Sequence, residues 1–556
     1  MCSVLYRILQ TTGWRVSALI DIRSWKTGEQ GIDSIFFIEE VFTGIMMNES
    51  GLYTIKDLLF DRNQDPNQNA IECPGMLPMT YHELRMQVLS VVKTLNTRGF
   101  HRNDRIAVIM PAGPETAVTI ISVMAGFTCI ALNPQETKQE YQRYFTQLKI
   151  KAIIVQTSHE TAATMAATSR DIPVIELIPV FGRAGKFELE PPFVPDAKEA
   201  EFASPTDISH IFLTSGTTSR SKIVPVSQRQ SFFSRQVQIK PFKIANTDRC
   251  LHIVPYYHGL GIGLPLLGIL LAGGTVICTK DFIPSDFYSL LKKFRPTYYI
   301  AVPALHQGIL RELNKFAPDE LEDSSLRLIL SSSASMPDRV RHGLEKLLHV
   351  PVIEILASSE SGTISINFPP KHGSVGIPVI EHLTIRSETD KILRPYEQGE
   401  IVVKGEAVFS GYEDAPDEND AAFIDGWFRT GDMGYLDDEG YLFLTGRKKE
   451  IINKGGRKIA PEEIDTVLRS HPEVREAMAF SVPDPVLGED IAAMVVRNRD
   501  SVSEKDLRDF LLDRLQPAKI PRMIYFVGSI PKNAAGKPLR HEGTRMYSGQ
   551  EQKLSG

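Results

Sequence analysis

One run in the chain carries the residue types that suit a polyphosphate: Thr214-Ser215-Gly216-Thr217-Thr218-Ser219-Arg220-Ser221-Lys222. Six of the eight residues before Lys222 bear hydroxyls, and Gly216 lets a ligand come close to the backbone. Backbone N–H groups, hydroxyl donors and one ammonium are the donor set that phosphate oxygens need. The run departs from the P-loop of triphosphatases, because Ser221 stands at that loop's second glycine and Ile223 at its magnesium-binding hydroxyl. By composition alone a Ser/Thr-rich surface loop fits as well as a phosphate cradle, and the apolar run at 208–213 just before it favours the cradle. Other polar residues read blandly by themselves: His258 as a satisfied core imidazole, Glu360 as a solvated loop acid, Lys537 as a solvated lysine.

These residues need elements to hold them. Thr80 and Glu83 have capping-box spacing ahead of Leu84, Val88, Val91, Val92 and Leu95 at helical spacing, and Gly99 supplies the stop. Strand-like runs at 105–110, 128–132 and 152–155 then alternate with helical runs after Pro114 and around 141–148. Further short strands are expected at 208–213, 275–278, 298–302, 326–330 and 352–356. Such alternation predicts an α/β fold of layered, mostly parallel sheets with helices on both faces, and ligands sit beyond the carboxyl ends of its strands. Past Gly399, residues 400–404 and 440–444 alternate like antiparallel strands between glycine turns, a small β-rich subdomain over about 375–448. A tail follows: a helix opened by Pro461, strands at 477–482 and 491–496, a helix capped by Ser503 with Asp506, and a strand at 523–527. The expected organisation is an unassigned extension 1–49, a large N-terminal domain 50–448, and a small mobile α+β C-terminal domain 449–556.

The 556 residues allow about three or four packing units at roughly 150 residues each. With 42% hydrophobic and 23% charged residues, a large core is available and a disordered or collagen-like chain is excluded. A net charge of −6 offers no global field for nucleic acid or anionic membrane. Cys2, Cys73, Cys129, Cys250 and Cys278 are far apart, with no zinc spacing, and read as reduced thiols of an intracellular protein. Residues 251–279 lack Asp, Glu, Lys and Arg, long enough on paper to cross a bilayer, but Pro255, Pro265 and six glycines from Gly259 to Gly274 point to a loop followed by a short buried helix. Arg7 and Arg15 precede the first acid, Asp21, as in a weak mitochondrial leader, and an unstructured leader or mispredicted start is the simpler reading. The ending Leu554-Ser555-Gly556 is not the Ser-Lys-Leu peroxisomal address. Cytoplasmic location is the expectation, with peroxisome and mitochondrion as alternatives.

Several motifs, in order, resemble the adenylate-forming (AMP-binding) superfamily, acyl-CoA synthetase type, over about residues 52–541. The run from Thr214 to Lys222 resembles its phosphate loop, which implies nucleotide contacts from Thr214, Ser215, Gly216, Thr217 and Thr218 and a catalytic role for Lys222. Pro255-Tyr256-Tyr257-His258-Gly259 is similar to the segment lining the carboxylate pocket, with His258 at the gating position. Ser331-Ser332-Ser333-Ala334-Ser335 resembles the segment that packs on adenine, with Ser333 at its centre. Glu354 to Glu360 resembles the acidic motif whose carboxylate, here Glu360, holds Mg²⁺; Ser359 replaces a Thr, and Leu356 replaces the Tyr that stacks near adenine. In Gly426-Trp427-Phe428-Arg429-Thr430-Gly431-Asp432, the resemblance makes Asp432 the acceptor of the ribose hydroxyls, two oxygens suiting a vicinal diol. Arg447 then contacts the nucleotide, Lys449 is the hinge, and Gly455 with Gly456 faces the thiol in the second step; Asn453 and Lys458 match positions near that step. Pro531 to Arg540 resembles the C-terminal motif whose lysine, Lys537, bridges the carboxylate and the α-phosphate.

The implied activity is an AMP-forming acid–thiol ligase using ATP, Mg²⁺ and coenzyme A: a carboxylate attacks the α-phosphate to give acyl-AMP, the tail turns about Lys449, and a thiol displaces AMP. Two alternatives are an adenylating enzyme that loads a carrier protein in trans and a degenerate nucleotide-binding relative, the latter motivated by Leu356, Ser221 and Ile223. Val302-Pro303-Ala304-Leu305-His306-Gln307 and the hydroxyl-rich loop at 331–335 look closest to the oxalate–CoA ligase branch of fungi and plants, some of whose members serve secondary metabolism. They imply a short, polar acid, a di- or tricarboxylate, whose second carboxylate takes a donor from His258 or His306; a packing role for His306 is the equal alternative.

Overall fold

The computed structural model describes residues 53–60, 64–156, 160–190, 199–214, 221–498, 502–532 and 537–547. The chain divides into Met1–Met47 and a compact unit Asn48–Gly556. Every described residue belongs to the second unit, so readings that fall on residues 1–52 lie outside the described residues.

Among the described residues two large sheets carry the α/β part. In the first, Phe187–Glu190, Val174–Pro179, Ala152–Val155, Arg105–Ile109, Thr128–Ala131, Ile208–Thr214 and Lys222–Ser227 lie side by side. Its inner neighbours pair parallel, and each edge is closed by an antiparallel strand. The second runs Ile377–Pro378, Gly362–Ile366, Val352–Ser358, Leu328–Ser332, Tyr298–Ala301, Arg249–His252, Thr275–Cys278, Asn69–Glu72, Met79–Thr80, again parallel inside and antiparallel at the edges. The chain is therefore α/β, with a large N-terminal domain and a smaller C-terminal one. Apolar strands such as Ala152–Val155 and Thr275–Cys278 are buried on both faces, which is why they read as continuous hydrophobic runs.

Local chemistry explains the helices that flank these sheets. The Thr80/Glu83 box opens Tyr81–Thr97, and Ser227 with Gln230 opens Gln228–Ile239. Each cap contributes about 1 kcal/mol. Residues 251–279 form no span: after the strand Arg249–His252 the chain turns through Pro255 into Gly259–Ile262, a π-helical stretch Gly263–Gly268 and Ile269–Leu271. Pro265 lacks an N–H and breaks the regular ladder inside that π stretch. No helix among the described residues is long and apolar enough to cross a membrane. Cys73, Cys129, Cys250 and Cys278 are free and buried.

A five-stranded antiparallel sheet follows, built from His382–Arg386, Gly399–Lys404, Trp427–Leu436, Phe423–Ile424 and Leu442–Arg447. Here two sequence expectations need correction. Gly399–Lys404 does not alternate: it is buried along nearly its whole length because strands pair with it on both edges and an apolar cluster packs against it. The strand expected at 440–444 begins later, at Leu442, because Asp437 Oδ1 accepts from the Glu439 and Tyr441 backbone N–H groups and holds 437–441 as a turn. The tail has its own sheet of Arg457–Ile459, Ile452–Lys454, Gly488–Arg497, Val474–Asp484 and Met523–Phe526, covered by Pro461–Ser470 and Glu504–Leu512 around a separate core.

Candidate active site

Thr214 ends one strand directly opposite Lys222, the first residue of its antiparallel neighbour. The connection that leaves the sheet at Thr214 therefore returns to it at Lys222. Ser215, Gly216, Thr217 and Thr218 lie outside the described residues. The Lys222 ammonium sits 3.9 Å from the centre of the Tyr412 ring, a cation–π contact. Burial pulls its pKa below the ordinary lysine value, and Lys449 adds to this, while Glu360 and Glu418 oppose it.

Glu360 follows the strand Val352–Ser358, past Ser359, at the turn into Gly362–Ile366. Its Oε1 accepts a 3.0 Å hydrogen bond from the Tyr412 hydroxyl, and its backbone carbonyl accepts from Phe409 N–H at 2.7 Å. Burial first, then Glu360, pushes the Tyr412 phenol well above its ordinary value, so it stays a donor. Tyr412 thus ties the ammonium of Lys222 to the carboxylate of Glu360. Sequence reasoning passed over it; the available signal was an aromatic directly after Ser410-Gly411, just beyond the strand Gly399–Lys404.

Asp432 and Arg447 are register partners on adjacent antiparallel strands. Arg447 Nε lies 2.8 Å from Asp432 Oδ1, and Asp432 is only 8% exposed. Burial raises the Asp432 carboxyl pKa, and the charges of Arg447 and Lys537 pull it back. Arg447 also feels Glu360, which joins this pair electrostatically to the Lys222 side of the site. Lys537, on the C-terminal segment, feels the same charges: burial lowers its pKa, Arg447 repels it, and Glu450, Asp432 and Glu462 attract it.

The segment bearing Lys537 is anchored by Arg540. Its guanidinium pairs with Glu450 (2.8 Å), Glu462 (3.0 Å) and Asp465 (2.8 Å), and donates to the Ala479 carbonyl (2.6 Å). Burial raises the Glu462 carboxyl to about 6, against the pull of Arg540. A three-acid cage around one arginine was invisible in sequence, since its acids come from two separate segments.

His258 precedes the helix Gly259–Ile262, with its ring centroid 4.6 Å from that of Tyr257. Ser333 is exposed at φ 76°, at the end of the strand Leu328–Ser332. Leu356, at the position expected for a tyrosine, packs against the apolar cluster that includes Tyr412. Lys449 lies in the short turn Lys448–Glu450. Gly455 and Gly456, at φ 58° and 83°, form the two-residue turn between Ile452–Lys454 and Arg457–Ile459, where both residues need a left-handed backbone. Gly455 N–H donates to the Leu487 carbonyl at 2.9 Å. Asn453 and Lys458 face each other across that hairpin, and Lys458 pairs with Glu388.

His306 is a correction: it is fully buried, its Nε2 is 3.2 Å from the Leu330 carbonyl and its Nδ1 3.2 Å from the Tyr299 hydroxyl. Burial drives its pKa down to about 4. Both ring nitrogens are engaged in the core, so it has no donor for a substrate carboxylate.

Among the described residues no group of three or more His, Cys, Asp or Glu could hold a metal by itself. A lone carboxylate such as Glu360 suits an ion that takes most of its oxygens from other ligands and water, the habit of Mg²⁺.

Residues 61–413 match the AMP-binding enzyme family, and residues 463–537 match the AMP-binding enzyme C-terminal domain. The chain belongs to the AMP-binding enzyme family. It is 32% identical over 490 residues to an oxalate–CoA ligase of Arabidopsis thaliana, covering 85% of this chain and 95% of the relative. An oxalate–CoA ligase of Saccharomyces cerevisiae is also 32% identical, over 79% of this chain and 86% of the relative. Among solved structures, ATP-bound MatB from Rhodopseudomonas palustris superposes with a TM-score of 0.80 at 26% identity, covering 89% of this chain and 99% of that one.

Proposed function

We propose that this enzyme activates a short polar acid, a di- or tricarboxylate, as acyl-AMP and passes the acyl group to coenzyme A, in the service of secondary metabolism. ATP-dependent, AMP-forming CoA-ligase chemistry, with ATP, Mg²⁺ and coenzyme A, is the general part of that reading. The observation that carries it is the buried Asp432–Arg447 pair, whose charges are felt by Lys537 of the C-terminal segment, because a cation from that segment near a diol-binding carboxylate is the arrangement an adenylation step needs. The naming of two relatives as oxalate–CoA ligases supports the short diacid.

In the first step an oxygen of the substrate carboxylate attacks the α-phosphorus, the bond to the bridging oxygen breaks, and pyrophosphate leaves. Lys537 stabilises the charge developing between carboxylate and α-phosphate, and Lys222, leaving the Tyr412 face, does the same for the departing phosphates. Asp432 gives Oδ1 to Arg447 and keeps Oδ2 for the ribose hydroxyls. Glu360 is the residue that would hold Mg²⁺, with its carboxylate oriented by Tyr412; bound there, the ion neutralises phosphate charge. In the second step the segment after Lys449 turns, Lys537 withdraws, and the thiol sulfur attacks the acyl carbon. The acyl–phosphate bond breaks, AMP leaves and the thiol proton passes to solvent.

The test is AMP release with coenzyme A and a panel of acids, alongside carboxylate-dependent pyrophosphate exchange. Short diacids are expected to turn over with free coenzyme A. Dependence on an added carrier protein, or reaction of long-chain acids alone, would overturn the proposal.

A further inference from the structure

The helix Gln228–Ile239 carries Arg235, a cation that the steps above do not use. The side chain is surrounded by protein, and burial alone lowers its pKa to about 10, with no acid opposing the shift. Among the described residues none of the ion pairs involves it. Its Nε is sealed from solvent and has no hydrogen-bond partner. The residue nonetheless keeps partial accessible surface, and it lines a small cavity together with Thr54, Gln228, Ser231 and Leu267. An uncompensated guanidinium in such a place is costly unless an anion completes it.

The guanidinium lies beside segments that continue from His258 and from Glu360. Nη1 occupies the space that a side chain at Gly263 would fill, five residues after His258. Nη2 donates to Ser234 Oγ at 2.6 Å, and that hydroxyl packs against Gly362, two residues after Glu360. His210, on the strand that ends at Thr214, feels its charge. Gln238, one turn further along the helix, donates to Thr363 Oγ1 at 2.7 Å and keeps this polar face turned toward the strand Gly362–Ile366. Glycine at 263 leaves room for the fork of an arginine, and a planar fork is the geometry that binds a carboxylate through two hydrogen bonds.

We infer that Arg235 is the specificity-determining residue of the acid pocket, pairing with the substrate carboxylate that does not react. The inference rests on the short-diacid reading of the proposed function and replaces His306 as the source of the second donor. Selection then works in both directions: a diacid completes the buried cation, whereas a monoacid of the same length leaves it unpaired.

The experiment compares oxalate, malonate and succinate with acetate, propionate and butyrate in pyrophosphate exchange, using the full chain and the variants Arg235→Met, Arg235→Lys and Gly263→Ala. The ratio of diacid to monoacid kcat/KM is expected to fall at least 100-fold in Arg235→Met, less in Arg235→Lys, and at least tenfold in Gly263→Ala, whose new methyl displaces Nη1. Methionine replaces an unpaired buried charge with an apolar side chain of similar length, so the variant is expected to fold, and its unfolding temperature checks this. Gly263→Ala keeps the arginine and tests the same geometry independently. Folded Arg235→Met with the diacid ratio unchanged within threefold would overturn the inference and leave the proposed function standing. Wild-type enzyme that activates only the monoacids would overturn the diacid reading and this inference with it.

Discussion

Tyr412→Phe is the most informative single change at the candidate site. It removes one oxygen, the hydroxyl that donates to Glu360 Oε1 at 3.0 Å, and leaves the ring 3.9 Å beneath the Lys222 ammonium. A hydrogen bond to a charged group contributes about 1.5–3 kcal/mol. At 1.36 kcal/mol per decade, the expected fall in kcat/KM for ATP is roughly 10- to 150-fold. Tyr412→Leu also removes the ring, and with it a cation–π contact of about 0.5–2 kcal/mol, so it should fall a further few-fold or more. The assay is carboxylate-dependent pyrophosphate exchange titrated with Mg²⁺, run beside thiol-dependent AMP release from a pre-made acyl-adenylate. The Phe variant should need more Mg²⁺ for half-maximal exchange, because Glu360 has lost the donor that orients it, and AMP release should change less than threefold. Exchange within twofold of wild type at every Mg²⁺ concentration would refute the orienting role of Tyr412 and with it the placement of the metal at Glu360.

Lys537→Ala should lower pyrophosphate exchange by about 100-fold or more while AMP release from pre-made acyl-adenylate stays within threefold; an equal loss in both assays would contradict a role confined to adenylation. Arg540→Met strips the cation from Glu450, Glu462 and Asp465 and should cost about 3–5 kcal/mol in urea unfolding of the C-terminal segment, since breaking a buried pair from one side leaves charges uncompensated. Acid should destabilise the enzyme through buried neutral histidines: burial lowers His252 and His306 to about 4 from 6.5, so the unfolded state binds the extra protons. Stability is therefore full above about pH 7 and is lost as pH falls through 6.5 toward 4, by about 2 kcal/mol for each residue at pH 5. His306→Gln, which cannot titrate, should remove about one such increment from the difference between urea midpoints at pH 7 and pH 5, and an unchanged difference would show that His306 is not a source of acid sensitivity.

Legibility in the sequence followed the range of the signal. Capping boxes at Thr80 and Ser503 are contained within four residues, and both open helices where the spacing placed them. Buried parallel strands were equally plain, because two covered faces produce a continuous apolar run. Gly399–Lys404 was misjudged because alternation reports one covered face, and both faces of this strand are covered by parts of the chain distant in sequence. The same limit applies at the site. Lys222, Glu360, Asp432 and Lys537 were nominated through motifs, but the Tyr412 link between two of them and the acid cage of Arg540 depend on contacts 52 to 190 residues apart. His306 sat in a motif and was still a core residue, since nothing local distinguishes an imidazole facing a ligand from one facing the Leu330 carbonyl.

The placement of charge around residue 449 bears on how the proposed lid turns. Arg540 finds its partners at Glu450, Glu462, Asp465 and the Ala479 carbonyl, all after Lys449, so the strongest ion network of the C-terminal segment can move as one body. Lys537 is different, because Asp432 and Arg447, whose charges it feels, both precede the proposed hinge. Turning the segment separates Lys537 from those two residues and leaves its anchor intact. The Lys458–Glu388 pair also spans the hinge, but its side chains are 63% and 73% exposed, and an ion pair that wet resists separation by no more than about 1 kcal/mol. A lid whose buried cage lies wholly on its own side breaks no ion pair of that cage when it turns. Under the proposed mechanism, Lys537 serves adenylation and then withdraws at little expense to the fold of the segment that carries it.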